Sequence, residues 1–307
     1  MKKRFCVYTA LIGGYDEVRQ PLVADEDFDY FLFSYDIEPQ RIGVWEVRSF
    51  EYRNSIVTKA SRWPKLHPEA LLADYEASVY IDANMVIKSQ LFYQRVKELF
   101  DKGTLISSLV HPDWTCTYQE LLHIMYLGWE TELKTIEWGR FLRKEGFPRW
   151  TGTFENRVIF RRHLDYRVKA VDELWWDCVE RYARRDQFSF RYCLWKENIN
   201  CQGFLPEGTH VKDNPYFKVF AHKKHFSKDV NVHDGKKENR SWLMRYYMKH
   251  ADERQRIEDV YYWLYGRKNY VFWFGVLGQY YRLRHLLLHA MGRKEVYLWE
   301  IDKNKYE

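Results

Sequence analysis

The stretch SVYIDANMVI, Ser78 to Ile87, decides how this chain is read. Its first residues suit a strand buried on both faces, and the apolar run is cut by Asp82-Ala83-Asn84 before Met85-Val86-Ile87 resumes it. A carboxylate at the carboxyl end of a buried parallel strand stands where open α/β sheets bind their ligands. Hard divalent cations take oxygen ligands, and a magnesium or manganese ion bridging a diphosphate needs only one or two protein carboxylates beside the phosphate oxygens. Asp82 and Asn84, two apart on a bent segment, offer such oxygens. The plainer explanation is a turn, since Asp and Asn bend chains everywhere.

Working outward, the residues from Ser55 to Leu72 have helical spacing, with Lys59, Arg62 and Lys65 sharing one side just upstream of the quoted stretch. Cations placed there would stabilise a bound diphosphate and a departing one, although a basic helix face is more often simply solvated. RFCVYTALI, from Arg4, is a continuous apolar strand that ends at Gly13-Gly14, where a backbone can approach a ligand closely. DYFLFSYD, GVWEVRSF, GTLISSLVH and ENRVIFRRH read as further strands. A helical region runs from about Tyr118 to Glu145, up to the breaker Gly146-Phe147-Pro148, and two more helices meet near Arg185-Asp186-Gln187. Strands alternating with helices predict an α/β sheet with crossovers. From about Lys236 the chain turns rich in Arg, Lys, Tyr and Trp, and reads as a helical C-terminal extension over 236–307 beyond a first domain over 1–235.

Asp186 has a simple explanation as a helix N-cap, and a functional one as an acid that orients or deprotonates a hydroxyl of an acceptor. The histidines of AHKKHFSKDVNVH, His222, His225 and His233, follow a late strand; one of them is a candidate metal ligand, against the commoner case of a surface histidine among lysines.

With 46% hydrophobic residues over 307 positions the chain can build a sizeable core, and 13 Trp with 24 Tyr favour surfaces that bind sugars, nucleotides or membrane interfaces. The net charge of +6 favours anionic partners. The basic residues are spread among acids, which argues against nucleic acid as a partner. Five cysteines without C-x-x-C spacing argue against a zinc ribbon or a disulfide framework and point to a reducing, cytoplasmic setting. The basic start, Met1 to Arg4, is followed by no sustained apolar region and reads as mature protein. No stretch approaches the roughly 18 apolar residues of a membrane span. The phosphate-loop, G-x-G-x-x-G, H-E-x-x-H and G-x-S-x-G patterns are missing, which removes the commonest NTPase, dinucleotide, zinc-protease and hydrolase readings.

Taken together, YTALIGGYDEVRQP, RWPKLHPEALLADYEASVYIDANMVI, HPDWTCTYQE, EGFPRWTGTFENRVIFRRH and RRDQFSF fall in the order and spacing of a glycosyltransferase-like family once known only as a domain of unknown function. That family includes plant mucilage-related and turgor-regulation-defect proteins and many bacterial polysaccharide-locus proteins, and the resemblance covers about 4–235. It implies a GT-A-like, Rossmann-like fold: a nucleotide-sugar-binding mixed sheet flanked by helices. The run from Arg62 also looks like the glycogenin-type transferases, in which a basic helix precedes a D-x-D element. On this resemblance Asp82 faces the nucleotide ribose and the metal, with Asn84 in the place of the second acid; His225, from the histidine run and not from the resemblance, is the further candidate metal ligand. Arg62 and Lys65 lie towards the donor phosphates, Tyr8, Thr9 and Ala10 towards the base, and Asp186 and Gln187 towards the transferred sugar and acceptor. One departure is plain: Asn84 is neutral where a full D-x-D has a carboxylate, which weakens metal affinity. A family member described as a ceramidase shows that the fold does not fix the reaction.

The expectation is a glycosyltransferase assisted by Mg or Mn that moves sugar from a nucleotide-sugar donor to a glycan or lipid-linked acceptor in bacterial surface polysaccharide or lipopolysaccharide-type synthesis. The competing expectation is a non-catalytic glycan- or nucleotide-binding module on the same fold. The basic aromatic tail, Val260 to Lys294, reads either as helices packed on the catalytic domain or as a peripheral patch on the inner, anionic face of the membrane.

Overall fold

The computed structural model describes residues 3–223, less 113, 119, 122, 123, 125–129, 131, 183, 184 and 210, together with 283, 286, 287 and 290–292. The chain divides into two compact units, Met1–Asp113 with Gly152–Val232, and Trp114–Thr151 with His233–Glu307. The expected boundary between 235 and 236 lies outside the described residues, as does most of the expected helical extension.

In the first unit the apolar runs become strands. These are β1 (Phe5–Ala10), β2 (Phe28–Phe33), β3 (Arg41–Ile42), β4 (Trp45–Arg48), β5 (Ala77–Ile81), β6 (Met85–Ile87), β7 (Ile106–Val110), β8 (Phe154–Arg161), β9 (Cys201–Gly203) and β10 (Phe217–Val219). The helices between them are α1 (Val57–Leu66), α2 (Pro68–Leu71), α3 (Gln90–Asp101), α5 (Tyr166–Arg181) and α6 (Gln187–Lys196); α4 (Glu132–Lys144) belongs to the second unit. The quoted stretch therefore holds two strands, β5 and β6, joined by a turn in which Met85 N donates to Asp82 O at 2.9 Å.

Eight strands form one sheet in the order β3-β4-β2-β1-β5-β8-β7-β9. The β1–β2, β1–β5, β2–β4 and β7–β9 pairs are parallel, and β5–β8, β7–β8 and β3–β4 are antiparallel. This is a mixed α/β sheet flanked by helices, as the sequence predicts. The two-residue β3 and the three-residue β9 carry too little pattern to be seen from sequence.

The alternation along β1 shows why both faces need covering. Phe5 and Val7 join Phe92, Tyr93 and Val96 of α3 in the core on one face, whereas Tyr8 turns to α1 on the other. Each such buried Val or Phe contributes about 1.5–3 kcal/mol, so the strand order follows from which runs are apolar on both sides. In register, Ala10 pairs with Phe33 and Tyr8 with Tyr80, which sets the carboxyl ends of β1, β2 and β5 side by side. β1 is the switch point, since the chain proceeds from it to β2 on one side and later to β5 on the other.

In the second unit α4 buries Ile136, Trp138 and Leu142. It ends where the sequence breaker predicts, with Gly146 at φ 74° and Phe147 N bonded back to Leu142 O at 2.9 Å. The Tyr118 hydroxyl donates to Phe147 O at 2.9 Å and ties the preceding segment to that corner.

Candidate functional site

Asp82 leaves the carboxyl end of β5 with its side chain about a quarter exposed. Its backbone amide is fixed by Arg157 O at 2.9 Å, so β8 sets the height at which the carboxylate emerges. Facing it is the last turn of α1. Arg62 and Lys65, three residues apart, share a side of that helix. Lys59 does not join them: its ammonium donates to Glu180 O at 2.6 Å.

Lys65 is one of the largest fully buried side chains of the described residues. Its Nζ lies 3.7 Å from Asp82 Oδ1, 2.5 Å from Asp186 Oδ2 and 4.7 Å above the centre of the Tyr80 ring. The close approach to Asp186 is an ion pair outside hydrogen-bond alignment, for Asp186 Oδ2 has no hydrogen-bond partner.

The backbone of this turn is also pinned. Pro64 sits inside α1, and the Lys65 carbonyl accepts from the Tyr8 hydroxyl at 3.1 Å and from Arg161 Nη2. Arg161, fully buried on β8, also donates to the Tyr8 oxygen at 2.7 Å and to Asp172 Oδ1 of α5 at 2.6 Å. Burial pushes the Asp172 carboxyl up to about 7 against the pull of Arg161. At the other end of the pair, burial opposes the Arg161 charge but Asp172 and Tyr8 outweigh it and raise its pKa. The two ends pull opposite ways. A guanidinium effectively cannot give up its proton, so the ion pair sets the geometry.

Asp186 closes the site from the far side. Its backbone carbonyl accepts from the buried indole of Trp175 at 2.8 Å, which places it at the start of α6. It stands at the N-cap position, but its side chain makes no capping bond and goes instead to Arg62 Nε at 2.9 Å and to Lys65. Burial would raise its pKa, but Arg62 and then Lys65 overcome that and hold the carboxyl well below the usual range. Burial lowers the Lys65 ammonium, and Asp186 and Asp82 offset this only in part. Arg62 is raised, its burial outweighed by Asp186 and Asp82. Arg62 stays charged, and Asp186 stays ionised between it and Lys65. Gln187 follows, its Oε1 accepting from Arg185 at 3.3 Å.

Asn84 lies in the turn that follows Asp82. It is buried, its Nδ2 donates to Phe220 O at 2.8 Å, and its backbone carbonyl accepts from Phe220 N at 2.8 Å. These bonds extend the β6–β10 pairing and clamp the segment after β10 onto the Asp82 turn. Its Oδ1 is closed to solvent and has no partner.

Of the residues expected near a base, Tyr8 is buried beneath α1, while Thr9 and Ala10 lie at the end of β1. A small cavity opens there between the ends of β1, β2 and β5, lined by Thr9, Leu11, Arg19, Trp45, Asp82 and Met85. The Thr9 hydroxyl and Arg19 Nε are buried beside it without partners. His225 lies outside the described residues. Its neighbour His222 is described: its Nδ1 meets the buried Asp16 Oδ2 at 2.8 Å, and its ring packs on Tyr15 at 4.6 Å. Burial, then Asp16, raises the Tyr15 hydroxyl, with Arg62, Asp82 and Arg185 also acting on it, so this aromatic edge lies in the field of the same charged cluster.

A divalent cation held by Asp82 and Asn84 does not fit these residues. The Asp82 carboxylate already faces an ammonium, and Asn84 has committed its amide to Phe220 and closed its oxygen to solvent. Among the described residues no three His, Cys, Asp or Glu side chains group as a metal site.

No family model matches the chain, and no curated protein matches it. Among solved structures the chain is similar to the apo structure of WbbM, a bifunctional glycosyltransferase, at 11% identity and a TM-score of 0.36. The match covers 66% of this chain and 38% of that one.

Proposed function

We propose that this chain is a nucleotide-sugar-dependent glycosyltransferase. The observation that supports it is the lodging of Arg62 and Lys65 between Asp82 and Asp186, at the carboxyl ends of the parallel strands and beside the switch point at β1. Open α/β sheets take their ligands there, and paired cations suit a diphosphate leaving group. In the reaction the bond from the sugar's anomeric carbon to the diphosphate breaks, and its electron pair leaves with the nucleoside diphosphate. The acceptor hydroxyl forms the new glycosidic bond and releases its proton to solvent. Asp82 accepts hydrogen bonds from hydroxyls of the donor. Asp186, held ionised by two cations, is a weak base, and in this reading it orients Arg62 and Lys65 instead of taking a proton. Gln187 stands beside it towards the acceptor.

The acceptor we propose is a glycan or lipid-linked saccharide of a bacterial surface polysaccharide or lipopolysaccharide-type pathway, met in the cytoplasm at the inner face of the membrane. The test is a panel of UDP-, GDP-, CMP- and ADP-sugars, read by thermal shift and donor hydrolysis, on wild type and Asp82→Ala. One donor should stabilise and be slowly hydrolysed by the wild type and lose both effects in the variant. A donor that binds the wild type and is never turned over, even with acceptor glycans present, would favour the binding-module reading.

A further inference from the structure

We propose that the donor diphosphate is held here without a resident divalent cation, the Lys65 ammonium occupying the position between two carboxylates that a metal would otherwise take. This rests on the glycosyltransferase reading and goes beyond it by assigning how the diphosphate charge is met.

Asp82 beside an incoming diphosphate is repulsive unless its charge is offset by a nearby cation. Lys65 Nζ offsets it from within the fold at 3.7 Å from Asp82, and it is anchored by Asp186 at 2.5 Å and by the Tyr80 ring. A second, divalent cation on the same carboxylate would sit within a few ångströms of this buried ammonium and be repelled by it. Lys65 cannot swing away cheaply, because its side chain is buried and its Nζ is paired with Asp186.

Two residues on from Asp82, the chain lacks the second acid. A metal at a D-x-D element draws on the second acid, and here that side chain is an amide whose N–H₂ holds Phe220 O at 2.8 Å. A carboxylate has no proton to donate to that carbonyl, so asparagine is the residue the clamp requires. Magnesium demands near-octahedral oxygen ligands at about 2.0–2.1 Å, and Asn84 Oδ1 has no open side to accept one. Residue 84 therefore serves the backbone of 217–220, and the charge a metal would bring is supplied by α1. Arg62, its side chain a quarter exposed, is the cation that reaches the phosphates directly.

The experiment is calorimetric titration of UDP and GDP into the full chain in EDTA, then with millimolar Mg²⁺ or Mn²⁺, for wild type and Lys65→Met. The wild type should bind its preferred nucleotide with a Kd in EDTA within about threefold of that with metal. Lys65→Met, with folding checked by circular dichroism, should lose at least about tenfold in EDTA and recover part of it with Mn²⁺, because the freed carboxylates can then take the ion. Wild-type binding that appears only with metal overturns the inference and leaves the glycosyltransferase reading standing. No binding of any nucleotide in any arm overturns that reading and the inference with it. If Lys65→Met does not fold, the wild-type arms decide alone.

Discussion

At the scale of single residues, the account turns on what each charged or amide group is committed to. Asp82, Arg62 and Lys65 were legible in the sequence because a basic helix stands directly before a strand that ends in an acid. The partnership of Arg62 with Asp186 was not, since the two are 124 positions apart and an Asp before a helix is explained well enough as a cap. Asn84 was misleading for the same reason: its partner Phe220 is 136 positions away, and from sequence it looks like a weakened metal ligand. The clamp makes a definite prediction. Asn84→Asp replaces a buried donor by an acceptor facing the Phe220 carbonyl and should cost about 1–3 kcal/mol, seen as a lower urea midpoint at unchanged slope. An unchanged midpoint would mean that the amide is not a structural tie.

At the scale of elements, α1 is the part on which the site depends. Its C-terminal half carries both cations, and the Lys65 carbonyl is held by Tyr8 of β1 and Arg161 of β8, the latter paired with Asp172 of α5. The sequence did hold a signal for this buried network. Asp172 lies on the apolar stripe of α5 with Val168, Val171 and Trp175, and Arg161 ends the apolar run VIF; charges in such places call for partners of their own. The C-terminal extension raises a different question. Its described residues Leu283, Leu286 and Leu287, followed by Met291, are each more than half exposed. They recur at helical spacing within a sequence that also carries Arg282, Arg284, Arg293 and Lys294. Exposed leucines with basic neighbours are what an interfacial helix presents to anionic lipid. We expect the full chain to float with phosphatidylserine-containing liposomes, and Leu286→Glu with Leu287→Glu to abolish flotation; equal recovery of wild type and variant would remove the membrane patch.

At the scale of the whole molecule, the sheet was legible because its central strands are apolar on both faces, and β1, β2, β5, β7 and β8 all fall in runs that the sequence marks. The edges were not: β3 and β9 are short, and their place depends on the partners they pair with. Nor can a sequence announce that β8 runs antiparallel to β5, which is what brings Arg157 to the back of the Asp82 turn and Arg161 beneath α1. Among the described residues no helix is long and apolar enough to cross a membrane. The most direct test of the account is a crystal structure of the chain grown in EDTA and soaked with the nucleoside diphosphate its titration selects. The account predicts diphosphate density at the carboxyl ends of β1 and β5, within hydrogen-bond distance of the Arg62 guanidinium, with Lys65 still between Asp82 and Asp186. Density bound elsewhere on the chain, or a diphosphate at this place with Arg62 and Lys65 turned away from it, would contradict the account.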